Sequence, residues 1–161
     1  MESRTPKLTQ KDYMKTALRS YLLQNAFNYT FYQGVSYLYT IMSVLKKIYK
    51  DEPEKLKETA SANLEFYNTN PQMLTFITSM QLAMYDNDQS VSDTRSIKMA
   101  LMGLLSGIGN SIARFGIASL FSTIFAGLAM NGLGFALMFF WLSMLISMLV
   151  IKLLMGGIFR V

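Results

Sequence analysis

Neither cysteine nor histidine occurs in this chain of 161 residues. The first absence removes disulfides, zinc fingers and thiolate nucleophiles. The second removes the side chain that most often moves protons near neutral pH, and with it any phosphohistidine. Acidic residues are also missing from a long part of the chain. All ten lie at or before Asp93, and beyond residue 98 the only charges are Arg114, Lys152 and Arg160. Residues 99–161 therefore supply no carboxylate pair for acid–base chemistry. Catalysis by this chain alone is not expected, nor is a cofactor or a metal. The opening MESRTPKLTQKDYMK has no apolar core, so it does not read as a signal peptide.

What is present is unevenly spread. Hydrophobic residues make up 52% of the chain and the net charge is +5. Up to residue 98 there are twelve basic and ten acidic residues, a nearly balanced count. The excess of positive charge thus comes mainly from the acid-free part, which points to lipid rather than nucleic acid. No charge interrupts residues 115–151, a run of 37. One helix of that length would measure about 55 Å, too long for a hydrocarbon core of about 30 Å. Asn131, Gly132 and Gly134 supply the interruption. Residues 133–151 read as a complete span, whereas 115–130 suit a tilted span or a re-entrant half-helix extended back into the preceding glycines. Lys152 and Arg160 after the span favour a cytoplasmic C-terminal end. The expectation is an all-α integral membrane protein: N-terminal amphipathic or interfacial helices over residues 1–93, then glycine-interrupted transmembrane helices over 94–161, with spans near 97–130 and 133–152.

In the first region, Thr9 and Asp12 have the spacing of a capping box ahead of a helix. That helix places Tyr13, Ala17, Leu18, Tyr21 and Leu22 on one face and Lys11, Lys15 and Arg19 on another. It suits an anionic membrane surface or a protein core equally. Phe27, Tyr29, Phe31, Tyr32, Tyr37 and Tyr39 then alternate with Gln24, Asn25, Asn28 and Gln33. Amides beside aromatic faces are what a neutral sugar requires, although an interfacial aromatic belt has the same composition. Residues 35–50 read as a helix with a basic end. Pro53 starts another helix that runs to about Tyr67. Asn70 caps the helix that begins at Pro71, and residues 86–95 form a hydrophilic loop.

Residues 98–111, KMALMGLLSGIGNS, join the charged and apolar regions. Gly103, Gly107 and Gly109 each cost a helix roughly 1 kcal/mol relative to alanine. Close helix packing through small residues is one explanation. A backbone break lining a polar path is the other.

Four stretches resemble, in order and spacing, the IID membrane subunit of the mannose/fructose/sorbose-type phosphotransferase systems: LTQKDYMKTALRSYLLQNAFNYTFYQG, LEFYNTNP, KMALMGLLSGIGNS and the terminal apolar run. The resemblance implies a multi-pass subunit in the bacterial cytoplasmic membrane that pairs with a IIC subunit in a hetero-oligomer. Together they would move a hexose or amino-sugar inward for phosphorylation by IIA and IIB components. No nucleic-acid partner is implied. The family pattern maps substrate contacts onto Asn28, Gln33, Asn68, Thr69, Asn70, Asn110 and Ser111, and a path lining onto Gly103, Gly107 and Gly109. Three positions depart from it. Thr30 and Asn110 stand where the family usually has acids, and Leu104 where it has proline. Relatives also continue through further membrane segments, so this chain reads as shortened or fragmentary, without the usual C-terminal third. The alternative is a truncated, non-transporting protein that binds a IIC partner or serves as a bacteriocin or phage docking subunit.

Overall fold

The computed structural model describes residues 7–157, so the start of the polar lead-in and Arg160 lie outside the described residues. Every regular element among the described residues is a helix. Helix α1 (Gln10–Arg19) begins as the capping box requires: the Asp12 carboxylate accepts from the Thr9 amide and hydroxyl, both at 2.7 Å. A 3-10 turn, Ser20–Leu22, follows. Helix α2 (Gly34–Ile48) buries Tyr37, Ile41, Val44, Leu45 and Ile48, the i, i+4, i+7 pattern of a core-facing stripe.

Helix α3 (Pro53–Asn63) opens on its proline but stops before Tyr67. The next residues are pulled straight because Tyr67 pairs with the aromatic segment. Its amide donates to the Phe31 carbonyl at 3.2 Å and its carbonyl accepts from the Gln33 amide at 2.9 Å. Helix α4 (Leu74–Asp86) likewise starts later than the Asn70–Pro71 signal suggests. Asn70 Oδ1 accepts from the Gln72 amide at 2.9 Å, closing a side-chain turn, and the helix forms only after that turn. Helix α4 is sheathed by its neighbours, and Leu74, Ile77, Leu82 and Tyr85 are fully buried in the core.

Ser90 caps helix α5 (Val91–Asn110) by accepting from the Asp93 amide at 3.0 Å, so the hydrophilic loop ends there rather than at residue 95. From this point no break occurs. A π-helical segment, Ser111–Ala118, passes directly into α6 (Ser119–Met130). Together they form one helix of 40 residues, Val91–Met130. At 1.5 Å per residue it is about 60 Å long, about twice a hydrocarbon core. Its first turns bury Thr94 and Lys98 against the N-terminal helices. The remainder shows Leu104, Ile108, Phe115, Leu120, Ile124 and Met130 on its exposed side.

After a turn in which Gly132 takes φ +88°, helix α7 (Ala136–Gly157) returns alongside α6. Phe125 meets Phe121 and Phe140 across and along the hairpin. The far end of α7 docks on the N-terminal helices, where Lys152 reaches Ser20. Two helices are long and apolar enough to cross a membrane, Val91–Met130 and Ala136–Met155, and their apolar faces are almost wholly unburied. The first runs back without a break through the glycines of residues 98–111. Arg114 to Asn131 and Phe135 to Lys152 are each seventeen residues, about 25 Å of helix. Both cations therefore stand at the same end of the hairpin, opposite its turn.

Candidate functional site

The expected site residues fall into groups. Gln33 and Thr69 are brought together, and the Gln33 side chain is spent on the Thr69 backbone. The Gln33 amide donates to the Thr69 carbonyl at 3.2 Å and its Oε1 accepts from the Thr69 amide at 3.0 Å. Both residues are buried, so this pair extends the backbone pairing of the aromatic segment with Tyr67. Asn70, Gly109 and Asn110 form the second group. Asn70 Nδ2 donates to Asn110 Oδ1 at 3.0 Å. A Cβ built on Gly109 would stand 2.7 Å from Asn70 Cβ and 2.7 Å from Met73 Cγ. Gly109 is thus a packing glycine, and it lets the Asn70 turn seat against α5 where the π-helical segment starts.

Asn68 lies on the rim of this junction, exposed, its amide donating to Met102 Sδ at 3.2 Å. Ser111 is exposed at the first π-helical position. Gly103 and Gly107 behave differently from Gly109: a Cβ at either meets nothing within 4 Å. They lie on the outward side of α5, beside exposed Leu104 and Ile108. Asn28 is drawn into its own loop. Its Oδ1 accepts from the Thr30 and Phe31 amides at 3.1 and 2.8 Å, which helps hold Tyr32 at φ +51°.

Beneath these residues lies a cluster that composition did not single out. Glu65, from the straightened segment, pairs with Lys98 at 2.5 Å and with Arg95 at 2.7 Å, both on α5. The Lys98 ammonium also donates to Asn63 Oδ1 at 3.2 Å and faces the Tyr37 and Tyr67 rings at 5.2 and 5.8 Å. Asn63 Nδ2 donates to the Tyr85 hydroxyl at 3.0 Å, and Gln81 Nε2 donates to Asn63 Oδ1 at 2.9 Å. The Tyr37 hydroxyl donates to Gln81 Oε1. Tyr37, Asn63, Gln81, Tyr85 and Lys98 are all buried. One signal was available in the sequence: α4 carries Thr75, Thr78, Ser79 and Gln81 on turns that hydropathy alone would assign to an apolar core.

Burial raises the Tyr37 and Tyr67 phenols well above their ordinary range and pushes Tyr85 up to about 12. All three therefore stay protonated at neutral pH, and the Tyr37 and Tyr85 hydroxyls act as hydrogen-bonding groups, not nucleophiles. Among the described residues no group of three or more acids exists that would hold a metal. The cluster fixes α2, α3, α4 and the first turns of α5 to one another. Around the junction of Asn70 and Asn110, the side chains of Asn68, Asn110 and Ser111 stand exposed.

Comparison with known proteins agrees with this architecture. Residues 7–158 match the family described as "PTS system mannose/fructose/sorbose family IID component". The chain is 32% identical over 131 residues to the mannose-specific EIID component of Escherichia coli K12, covering 78% of this chain and 46% of that protein. It is 31% identical over 143 residues to the sorbose-specific EIID component of Klebsiella pneumoniae, covering 83% and 51%. The fructose permease IID component of Bacillus subtilis is 30% identical over 143 residues, with 84% and 51% covered. The chain spans about half the length of these relatives. A cryo-EM structure of the mannose transporter ManYZ with microcin E492 contains a chain that superposes with a TM-score of 0.86 at 26% identity, over 95% of this chain and 58% of that one. The helical order, the two exposed apolar helices and the sequence match over residues 7–158 agree: this chain belongs to the mannose/fructose/sorbose family of phosphotransferase-system IID components.

Proposed function

We propose that this chain is a non-catalytic subunit of a sugar transporter in the bacterial cytoplasmic membrane, where it pairs with a IIC subunit. The substrate is a hexose or amino-sugar, delivered inward to IIA and IIB phosphocarriers that hold the histidine or cysteine this chain lacks. One observation carries the reading. Leu104, Ile108, Phe115 and Leu120 on the long helix and Leu137, Trp141 and Leu145 on α7 form apolar surface that the chain itself does not cover. Such surface belongs against lipid or another membrane helix. The chain it superposes on comes from a mannose transporter complex.

Asn68, Asn70, Asn110 and Ser111 form the polar border of that surface and are the groups offered to sugar hydroxyls. Gly103 and Gly107, open on the same helix, allow a partner helix or the sugar path to come close. Gln33, Thr69 and Asn28 support the border from behind. The test is co-expression with a IIC subunit of the same family, followed by copurification and sugar uptake. Copurification and uptake are expected, with uptake falling in Asn110→Leu. No association with any IIC subunit would end the reading, and stable association without uptake would favour the non-transporting alternative.

A further inference from the structure

Near the end of α7 stands charge that no carboxylate of the described residues balances. Lys152 is 2% exposed. Its ammonium donates to Ser20 Oγ at 3.2 Å and sits 3.9 Å from the centroid of the Tyr21 ring. Arg19, the residue before Ser20, has its guanidinium 5.4 Å from the Tyr39 ring. Helix α7 has no acid, and none occurs in residues 13–50. On the neighbouring elements, Asp12 is held by Lys47 and Thr9, and Asp86 at the end of α4 accepts from the Lys7 and Leu8 amides. A hydroxyl and an aromatic face are weak compensation for the buried Lys152 ammonium, while Arg19 beside it stays partly exposed.

Beside Arg19 and Tyr39 lies an open groove of about 330 Å³ lined by Leu22, Asn25, Ala26, Val35, Ser36 and Tyr39. Of its lining, Leu22, Val35 and Tyr39 are exposed, and so are Leu18 and Tyr21 on the adjoining turns. Lys152 stands about 25 Å along α7 from the hairpin turn, the depth at which a bilayer changes from hydrocarbon to headgroup.

We propose that this corner, where α1, the start of α2 and the end of α7 meet, binds one anionic phospholipid. Its phosphodiester lies against Arg19, with Lys152 as the buried charge behind it, and an acyl chain lies in the Leu22–Val35–Tyr39 groove. Charge complementarity selects the lipid: the corner offers cations, aromatic rings and apolar surface, and among the described residues no carboxylate for a basic partner. The inference rests on residence in a membrane and not on sugar transport.

The test uses the full chain purified in detergent and native mass spectrometry with added phosphatidylglycerol or phosphatidylcholine. One phosphatidylglycerol is expected to be retained in preference to phosphatidylcholine. Arg19→Gln and Lys152→Gln are each expected to reduce that preference about fivefold, the worth of one basic residue near an anionic headgroup. Val35→Trp, which fills the groove without changing charge, should weaken retention of both lipids; it and Arg19→Gln suffice if Lys152→Gln does not fold. Unchanged preference in the charge variants overturns the proposal. So does displacement of the lipid by glycerol phosphate, which would mark a site for a soluble anion. IIC copurification is measured on the same variants: its loss with lipid preference intact would show that a protein covers this corner and would likewise overturn it.

Discussion

Up to residue 98 the chain buries amides, hydroxyls and an ion pair, whereas beyond it leucines, phenylalanines and a tryptophan stand exposed. The N-terminal helices hold Asn63, Gln81, Tyr37, Tyr85 and Lys98 inside, each with a partner. The hairpin of α6 and α7 touches itself through Phe125 and Phe140 and leaves most of its surface to the surroundings. Buried polar groups are costly unless satisfied, so the first region depends on exact partners. Exposed apolar groups in lipid depend only on staying apolar, so the second region tolerates substitution as long as no charge is introduced. Substitutions of equal size should therefore hurt the first region far more than the second.

The largest effect is expected at Gly34, where an added Cβ would stand 1.9 Å from the Glu65 carbonyl oxygen. That oxygen is backbone and cannot move aside, so Gly34→Val is expected to abolish the folded state, read as loss of a cooperative thermal transition in detergent. Next comes Glu65→Leu, which strands the buried Lys98 and should cost about 3–5 kcal/mol in unfolding experiments. Adding Lys98→Met should restore much of that loss. A double variant no more stable than Glu65→Leu would show that the ion pair is not what joins α5 to the straightened segment.

The glycines sharpen the comparison within a single helix. Gly109→Ala, pressed against Asn70 and Met73, is expected to cost about 1–3 kcal/mol by overpacking. Gly103→Ala and Gly107→Ala meet nothing and should leave stability unchanged or raise it by up to about 1 kcal/mol. If they also reduce IIC copurification, the open face is where a partner helix lies. The smallest effect concerns Asp12. Partial burial works to raise its pKa, but the Lys47 ammonium and the Thr9 hydroxyl and amide outweigh it and hold the carboxyl below its ordinary 3.8. A carboxyl depressed by folding stabilises above its unfolded pKa and loses that contribution as pH falls through the folded value. Acid titration below pH 3.8 should therefore narrow the stability gap between the wild type and Asp12→Asn.

Much of this molecule was legible in the residues. The capping box at Thr9 and Asp12, the proline start at Pro53 and the turn at residues 131–135 are local signals, and local signals survive folding. The absence of acids after Asp93 marked the membrane region because charge in lipid is costly wherever the chain goes. The bounds of α3 and α4 were less legible, since Tyr67 pairs with the distant Phe31 and Gln33 and Asn70 closes a turn on Gln72 instead of capping the helix. The site divided in the same way. Asn70 was visible as a polar residue before a proline and Asn110 as one among the glycines, but nothing in their spacing says that they meet.

By itself the sequence determined the all-helical class, the apolar hairpin and the absence of phosphocarrier chemistry, because periodicity, hydropathy and missing residue types act through local physics. Only the tertiary structure decided which of the three glycines in residues 98–111 is packed and which are open. It also decided that Lys98 is buried against Glu65 and that Lys152 is buried with no acid of the described residues beside it. Those outcomes depend on which helix lies alongside, and that is settled by contacts between residues far apart in the chain.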